Sequence, residues 1–173
     1  MAIYTKTGDD GQTSTCTGRT SKNSCLIEAS GTIDELSSVI GATMAEVKHE
    51  DIDSLLAKIQ NELQIICAEL SSIGDYRIKE DRTKYLEEMC DKYENELEPL
   101  TKFILPGGSK GGSLMHLSRT VARRAERVLV KLSEEARMNR ETLKYLNRLS
   151  DLLFILARVV NKRDGITEKN PEY

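Results

Sequence analysis

The sequence predicts an all-α fold, a five-helix bundle preceded by an irregular amino-terminal arm, and three observations carry that expectation. Apolar residues recur at i, i+3, i+4 and i+7 through five separate stretches of the 173-residue chain. Aromatic residues make up only 5% and tryptophan is absent, so the core must be built from aliphatic side chains, which suits helices better than packed sheets. No stretch shows the alternation expected of a strand. The length fits one domain, 1–173, with its own core: an arm over 1–31, a bundle over 32–163 and a loose tail over 164–173.

In the arm, Gly8, Gly11, Gly18 and Gly31 punctuate a run of Thr, Ser and Asp without helical period. A frayed terminus is the ordinary reading of such a segment. Its inventory argues for more, because glycines allow close backbone approach, hydroxyls donate, and Lys6, Arg19 and Lys22 add the charge a polyphosphate-wrapping loop needs. Neither this arm nor the later glycines carry a Walker or dinucleotide signature.

The first helix is expected over 32–47, with Thr32 as N-cap, Glu35 completing a capping box, and Ile33, Leu36, Val39 or Ile40, Thr43 or Met44, and Val47 on its core face. Asp34 lies off that face and, by spacing alone, is a first-turn partner of the helix dipole. A second helix, 51–73, carries Ile52, Leu55, Leu56, Ile59, Leu63, Ile66, Leu70 and Ile73 and reads as scaffold. The third, 82–96, places Leu86, Met89 and Tyr93, with Leu97 just beyond, among many charges, and Pro99 ends it. Then comes LTKFILPGGSKGGS, in which Phe103 is one of two phenylalanines and reads first as a core anchor.

The fourth helix, 113–136, follows this glycine-rich loop, which leaves its N-terminus available to an anion. Leu114, Leu117, Val121, Ala125, Val128 and Leu132 form one stripe, and Arg119, Arg123, Glu126 and Arg127 the opposite one. Every cation from 119 to 127 is arginine, whose planar fork binds phosphate or carboxylate bidentately. The fifth helix, 140–163, repeats the design: Leu146, Leu149, Leu152, Leu153, Leu156 and Val160 face the core, and Asn147, Asp151, Phe154 and Arg158 stand opposite. Such polar stripes face water or a neighbouring subunit with a ligand between.

Composition excludes several classes. A net charge of −3 gives no overall attraction for nucleic acid, although the arginine stripe is large enough for a triphosphate. The four cysteines form no CxxC pair and only two histidines are present, which argues against a structural metal site; Cys67 and Cys90 read as small buried hydrophobes. No window approaches a membrane span, and unpaired cysteines suit the cytoplasm.

Six segments in series, YTKTGDDGQT at 4–13, the stretch around Lys22, EASGTIDEL at 28–36, FILPGG at 103–108, RTVARRAER at 119–127 and YLNRLSDLLFILAR at 145–158, resemble the PduO-type ATP:cob(I)alamin adenosyltransferases. The resemblance implies a five-helix bundle, a homotrimer with ATP between adjacent subunits, and transfer of the 5′-deoxyadenosyl group of ATP to cobalamin with release of triphosphate. Thr5, Lys6, Thr7, Gly8, Arg19 and Lys22 would wrap ATP, with Arg123 and Glu126 at the nucleotide and Asn147 near its ribose. Arg119 would pair with Asp34 of the next subunit. Phe103 would lie under the corrin ring and displace its lower axial ligand, and Mg2+ would be held mainly by the phosphates. A reductase and an adenosylcobalamin-dependent acceptor enzyme are the partners implied, without nucleic acid or membrane. Ser30 and the 14–18 stretch depart from the family pattern. Two other readings compete: a non-catalytic helical module whose arginine stripe docks an acidic partner, and a kinase or ATPase releasing ADP or pyrophosphate.

Overall fold

The computed structural model describes residues 4–16, 18–72 and 74–173. Among them the order is β1 (Gln12–Thr15), β2 (Gly18–Ser21), α1 (Cys25–Met44), α2 (Glu50–Leu70), α3 (Glu80–Glu94), α4 (Lys110–Glu135) and α5 (Arg140–Arg163). The five expected helices are present. The arm is not irregular throughout, however: β1 and β2 pair antiparallel, with Thr13 opposite Thr20 and Ser14 opposite Arg19. Neither strand has a buried residue, so the hairpin shows no apolar alternation and left no signal in the sequence. The turn from Thr15 to Gly18 is closed by the Thr15 hydroxyl donating to the Gly18 carbonyl at 2.8 Å, with Gly18 at φ 129°. Thr17 lies outside the described residues.

α1 begins seven residues before the expected start. Ser24 is its N-cap, accepting from the Ile27 amide at 3.4 Å, and Glu28 occupies the first turn. Thr32 is an interior residue whose hydroxyl donates to the Glu28 carbonyl at 2.7 Å, so the capping box at Thr32 and Glu35 does not form and Asp34 is not in a first turn. Gly31 does not break the helix but lies inside it. An interior glycine costs only about 1 kcal/mol against alanine, and burial of Ala29 and Ile33 on either side offsets that. α1 ends at Met44, which leaves Val47 half-buried in the connector.

The expected stripe of α2 is buried from Ile52 to Leu70; Ile73 lies outside the described residues. α3 starts and ends two residues earlier than expected and buries Leu86, Cys90 and Tyr93, with Met89, Leu97 and Cys67 partly buried against the core. All six predicted core residues of α5 are buried.

α4 corrects the sequence reading most. It packs against both α1 and α5, and its buried residues are Gly111, Gly112, Met115, His116, Ser118, Val121, Ala122, Ala125, Leu129 and Leu132, whereas Leu117 is exposed and Leu114 and Val128 only partly covered. Ranking leucine above small residues rotated the expected stripe. Ser118, Ala122 and Ala125 sit inside because a helix packed on two sides needs short side chains for close approach. Ser118 brings a hydroxyl into the core and meets the Thr43 hydroxyl of α1 at 2.9 Å.

The neighbours therefore run α2, α1, α4, α5, α3, and polar groups close the ring. Glu62 of α2 is 2% exposed; it accepts from the Tyr145 hydroxyl of α5 at 2.6 Å and from Arg82 of α3 at 3.1 Å. Burying a carboxylate is costly unless such donors replace water. Arg158, read as part of an open polar stripe, is instead buried and donates to the Glu168 carboxylate and the Glu98 carbonyl. The tail is not loose either. Leu105 donates to the Lys169 carbonyl at 2.7 Å, Ile166 to the Asn161 carbonyl at 2.8 Å, and the Asn170 amide to the Phe103 carbonyl at 2.8 Å.

Tyr145→Phe removes one of the two side-chain donors to Glu62. Chemical denaturation is expected to show a loss of about 1–3 kcal/mol, the cost of leaving a buried acceptor short of a partner; a variant as stable as the parent would show the bond to be dispensable.

Candidate active site

The residues singled out from sequence fall into three groups, and no hydrogen bond or ion pair among the described residues joins one group to another. The first is the arm. Thr5–Gly11 curls over the hairpin: the Thr5 and Thr7 hydroxyls are 2.8 Å apart, Arg19 donates to the Thr7 carbonyl at 2.7 Å, and Lys22 donates to the Gly8 carbonyl at 2.8 Å. Asp10 takes a further bond from Arg19 at 3.3 Å. β2 thus supplies two cations that brace the loop, while Lys6, at φ 60°, sits in the left-handed region. A Cβ on Gly8 would stand 3.0 Å from the Lys22 ammonium, so a side chain there would push the lysine slightly aside.

The second group lies between α4 and α5. Arg119 and Arg123, one turn apart, line a cavity of about 270 Å³ with Glu94, Ser150, Asp151, Phe154 and Ile155. The Arg119 guanidinium stands 5.9 Å from the centre of the Phe154 ring, within cation–π reach. Its Nε is buried without a partner, and its pKa is lowered by burial and by Arg123. One turn further along, Asn147 of α5 donates to Glu126 of α4 at 3.0 Å, which fixes the orientation of both. Asp34 of α1 does not meet Arg119 within the chain; it is exposed, and its charge adds to the burial that raises the pKa of the Cys67 thiol of α2. The neighbouring pair Glu35 and Arg124 does close, tying α1 to α4.

Phe103 makes the third group. It is 79% exposed, which overturns the core-anchor reading. Anion capture by the N-terminus of α4 also loses ground: Ser109 caps it, accepting from the Gly112 amide at 3.1 Å, and Gly108 and Gly112 face Asn161.

His116 was missed. It is 3% exposed, both ring nitrogens lack a partner, and its ring centroid is 6.0 Å from that of Phe154, beside Arg119. Burial, helped by Arg119, pushes its pKa down to about 4, so the ring is neutral at ordinary pH. Its position three residues before Arg119 was the available signal. Among the described residues no group of three or more His, Cys, Asp or Glu side chains could hold a metal, and no helix is long and apolar enough to cross a membrane.

Comparison with known proteins places this geometry. The sequence model of the family described as cobalamin adenosyltransferase matches residues 3–160. The chain belongs to the cobalamin adenosyltransferase family. It is 47% identical over 173 residues to the corrinoid adenosyltransferase of Bacillus subtilis (strain 168), covering 96% of this chain and 90% of that protein. Identity to the human corrinoid adenosyltransferase MMAB is 44% over 179 residues, covering 96% and 72%. The fold of the family is matched closely: a variant PduO-type ATP:corrinoid adenosyltransferase from Lactobacillus reuteri, complexed with cobalamin and ATP, superimposes with a TM-score of 0.94 at 34% identity, over 99% of this chain and all of that one.

His116 sets a pH dependence. Because its folded pKa is depressed from 6.5 to about 4, its contribution to stability is complete above pH 6.5 and is lost as pH falls toward 4. His116→Leu should flatten the stability curve across that window by up to about 1.4 kcal/mol per pH unit; denaturation at several pH values checks this, and parallel curves for the two proteins would contradict it.

Proposed function

We propose that the chain transfers the 5′-deoxyadenosyl group of ATP to the cobalt of cob(I)alamin, giving adenosylcobalamin and triphosphate. The observation that carries the reading is the pair Arg119 and Arg123 on one cavity, neither with an ion-pair partner among the described residues, in a chain of this family. The cobalt(I) electron pair attacks C5′, a cobalt–carbon bond forms, the C5′–oxygen bond breaks, and triphosphate leaves with that bond's electrons. No side-chain nucleophile is required. The protein's tasks are alignment and stabilisation of charge growing on the leaving group.

In this reading Thr5, Lys6, Thr7 and Gly8 form the loop that wraps the phosphates, and Arg19 and Lys22 hold it while offering their remaining N–H groups. Arg123 binds triphosphate with its fork, Glu126 orients Asn147 toward the ribose, and Mg2+ arrives on the phosphates. The separation of the three groups within one chain supports a homotrimer in which a neighbouring copy completes each site. Asp34 of one copy then pairs with the Arg119 whose Nε is orphaned in the chain alone. Phe103 lies beneath the corrin, keeping the lower axial position of cobalt free of a donor so that a one-electron reductant, delivered by a reductase, can make cobalt(I). The product passes to an adenosylcobalamin-dependent acceptor enzyme, in the cytoplasm, with the whole chain acting as one domain.

Chemically reduced cobalamin mixed with ATP and the protein should convert spectroscopically to adenosylcobalamin with intact triphosphate as co-product. ADP or pyrophosphate would instead mark a kinase or ATPase, and no turnover a docking module. Arg123→Lys keeps the charge but loses the fork, and steady-state assays should show at least a roughly tenfold fall, the equivalent of ~1.4 kcal/mol; unchanged turnover and ATP affinity would remove Arg123 from the triphosphate. Phe103→Ala should leave ATP binding nearly intact while adenosylation starting from cob(II)alamin is mostly lost, and an equal loss of both would remove Phe103 from the corrin.

A further inference from the structure

Asn161, near the end of α5, is 2% exposed, and every polar group of its side chain is spent on the loop that carries Phe103. Its Oδ1 accepts from the Ser109 amide at 3.0 Å and the Ser109 hydroxyl at 3.4 Å, and its Nδ2 donates to the Gly107 carbonyl at 2.8 Å. Its main-chain carbonyl accepts from Ile166, which turns the tail back toward the loop. The tail then takes the Leu105 amide at Lys169 and gives the Asn170 amide to the Phe103 carbonyl. Main-chain groups of residues 107 and 109 are therefore held by the Asn161 side chain, and those of 103 and 105 by the tail that Asn161 anchors.

The glycine-rich run acquires a purpose in this arrangement. A Cβ on Gly108 would lie 2.2 Å from Asn161 Oδ1 and one on Gly112 2.1 Å from it, distances that real atoms do not adopt, and Gly108 also has φ 116°. PGGSKGG thus forms a socket for one buried amide and not a phosphate loop. Phe103 itself offers no grip, since its ring is exposed and gains nothing from the core. Where the ring stands is decided by its main chain.

We propose that Asn161 is a positioning residue for the corrin half of the reaction: it locks the 103–109 passage so that Phe103 is held out at a fixed place. This rests on the reading of Phe103 given above. A misplacement near 1 Å at a distance from the chemistry can cost about a hundredfold, which a freed loop would readily produce. The arm and the Arg119–Arg123 cavity share no hydrogen bond with Asn161, so ATP binding is not its concern.

The test compares the full-length parent, Asn161→Ala, the double variant Asn161→Ala with Gly112→Ala, and Phe103→Ala. The second substitution refills the socket without restoring a hydrogen bond. Each protein is assayed for melting temperature, ATP affinity, the four-coordinate cob(II)alamin spectrum in the presence of ATP, and adenosylation starting from cob(II)alamin. Asn161→Ala should keep ATP affinity within about twofold, as for an independent site, while the four-coordinate signal and the cob(II)alamin rate fall roughly tenfold to a hundredfold. The double variant should regain melting temperature but neither corrin property, and it decides the matter if the single variant does not fold. Retention of the signal in either folded Asn161 variant, or its recovery with melting temperature in the double variant, overturns the positioning role and leaves Asn161 a packing residue. A parent without the signal, or a Phe103→Ala protein that equals the parent, overturns the reading of Phe103 itself and is distinguishable from the former result.

Discussion

α4 is packed on two sides at once, by α1 and by α5, and that double packing decides where its charges go. With Ser118, Ala122 and Ala125 turned inward, Arg119 and Arg123 emerge along the seam with α5, over a cavity whose floor includes Phe154. A guanidinium there is partly stripped of water and, among the described residues, closes no ion pair, although Glu94 and Asp151 line the same cavity. Retaining a cation under such terms is unfavourable for an isolated subunit, and it makes sense where an anionic ligand or a neighbour's carboxylate completes it.

The remainder of the bundle holds that seam rigid. Glu62, Tyr145 and Arg82 connect α2, α5 and α3, and Arg163 joins Asp51 and Glu96 at the opposite end of α5. The arm is organised in the same way on a smaller scale: Arg19 and Lys22 spend part of their bonding on the loop's own carbonyls, so its shape is set within the chain and would be ready for the ligand proposed above. Preorganisation of this kind lowers the ordering entropy that binding must otherwise overcome. Phe103 is held differently: its ring is exposed and its passage is fixed through main-chain groups.

How much could be read from sequence followed from what each element buries. α2 and α5 were legible because leucine and isoleucine fall at helical spacing with no competing stripe. α4 was read in the wrong phase, since its inner face uses short and hydroxyl side chains whose value appears only when two neighbours close on it. The hairpin leaves no sequence signal because no residue on either strand is buried, and Thr32 has the pattern of a cap only because Gly31 before it resembles a boundary. At the site, the choice of arginine over lysine announced Arg119 and Arg123. His116 is marked only by its place one turn before Arg119, and Asn161 by nothing: each is a single polar residue whose distinguishing contact, to Phe154 or to the 107–109 loop, sequence spacing cannot bring near.

In the proposed trimer the catalytic site belongs to two copies of the chain, with Asp34 from one and Arg119 from the next. Asp34→Ala and Arg119→Ala proteins, each of low activity alone, can be unfolded and refolded together in equal amounts. If sites form between copies in a closed ring, random assembly restores both native residues at about a quarter of the interfaces, and activity should reappear to that extent. A mixture no more active than its components would contradict the shared site and return Arg119 to the chemistry of a single chain.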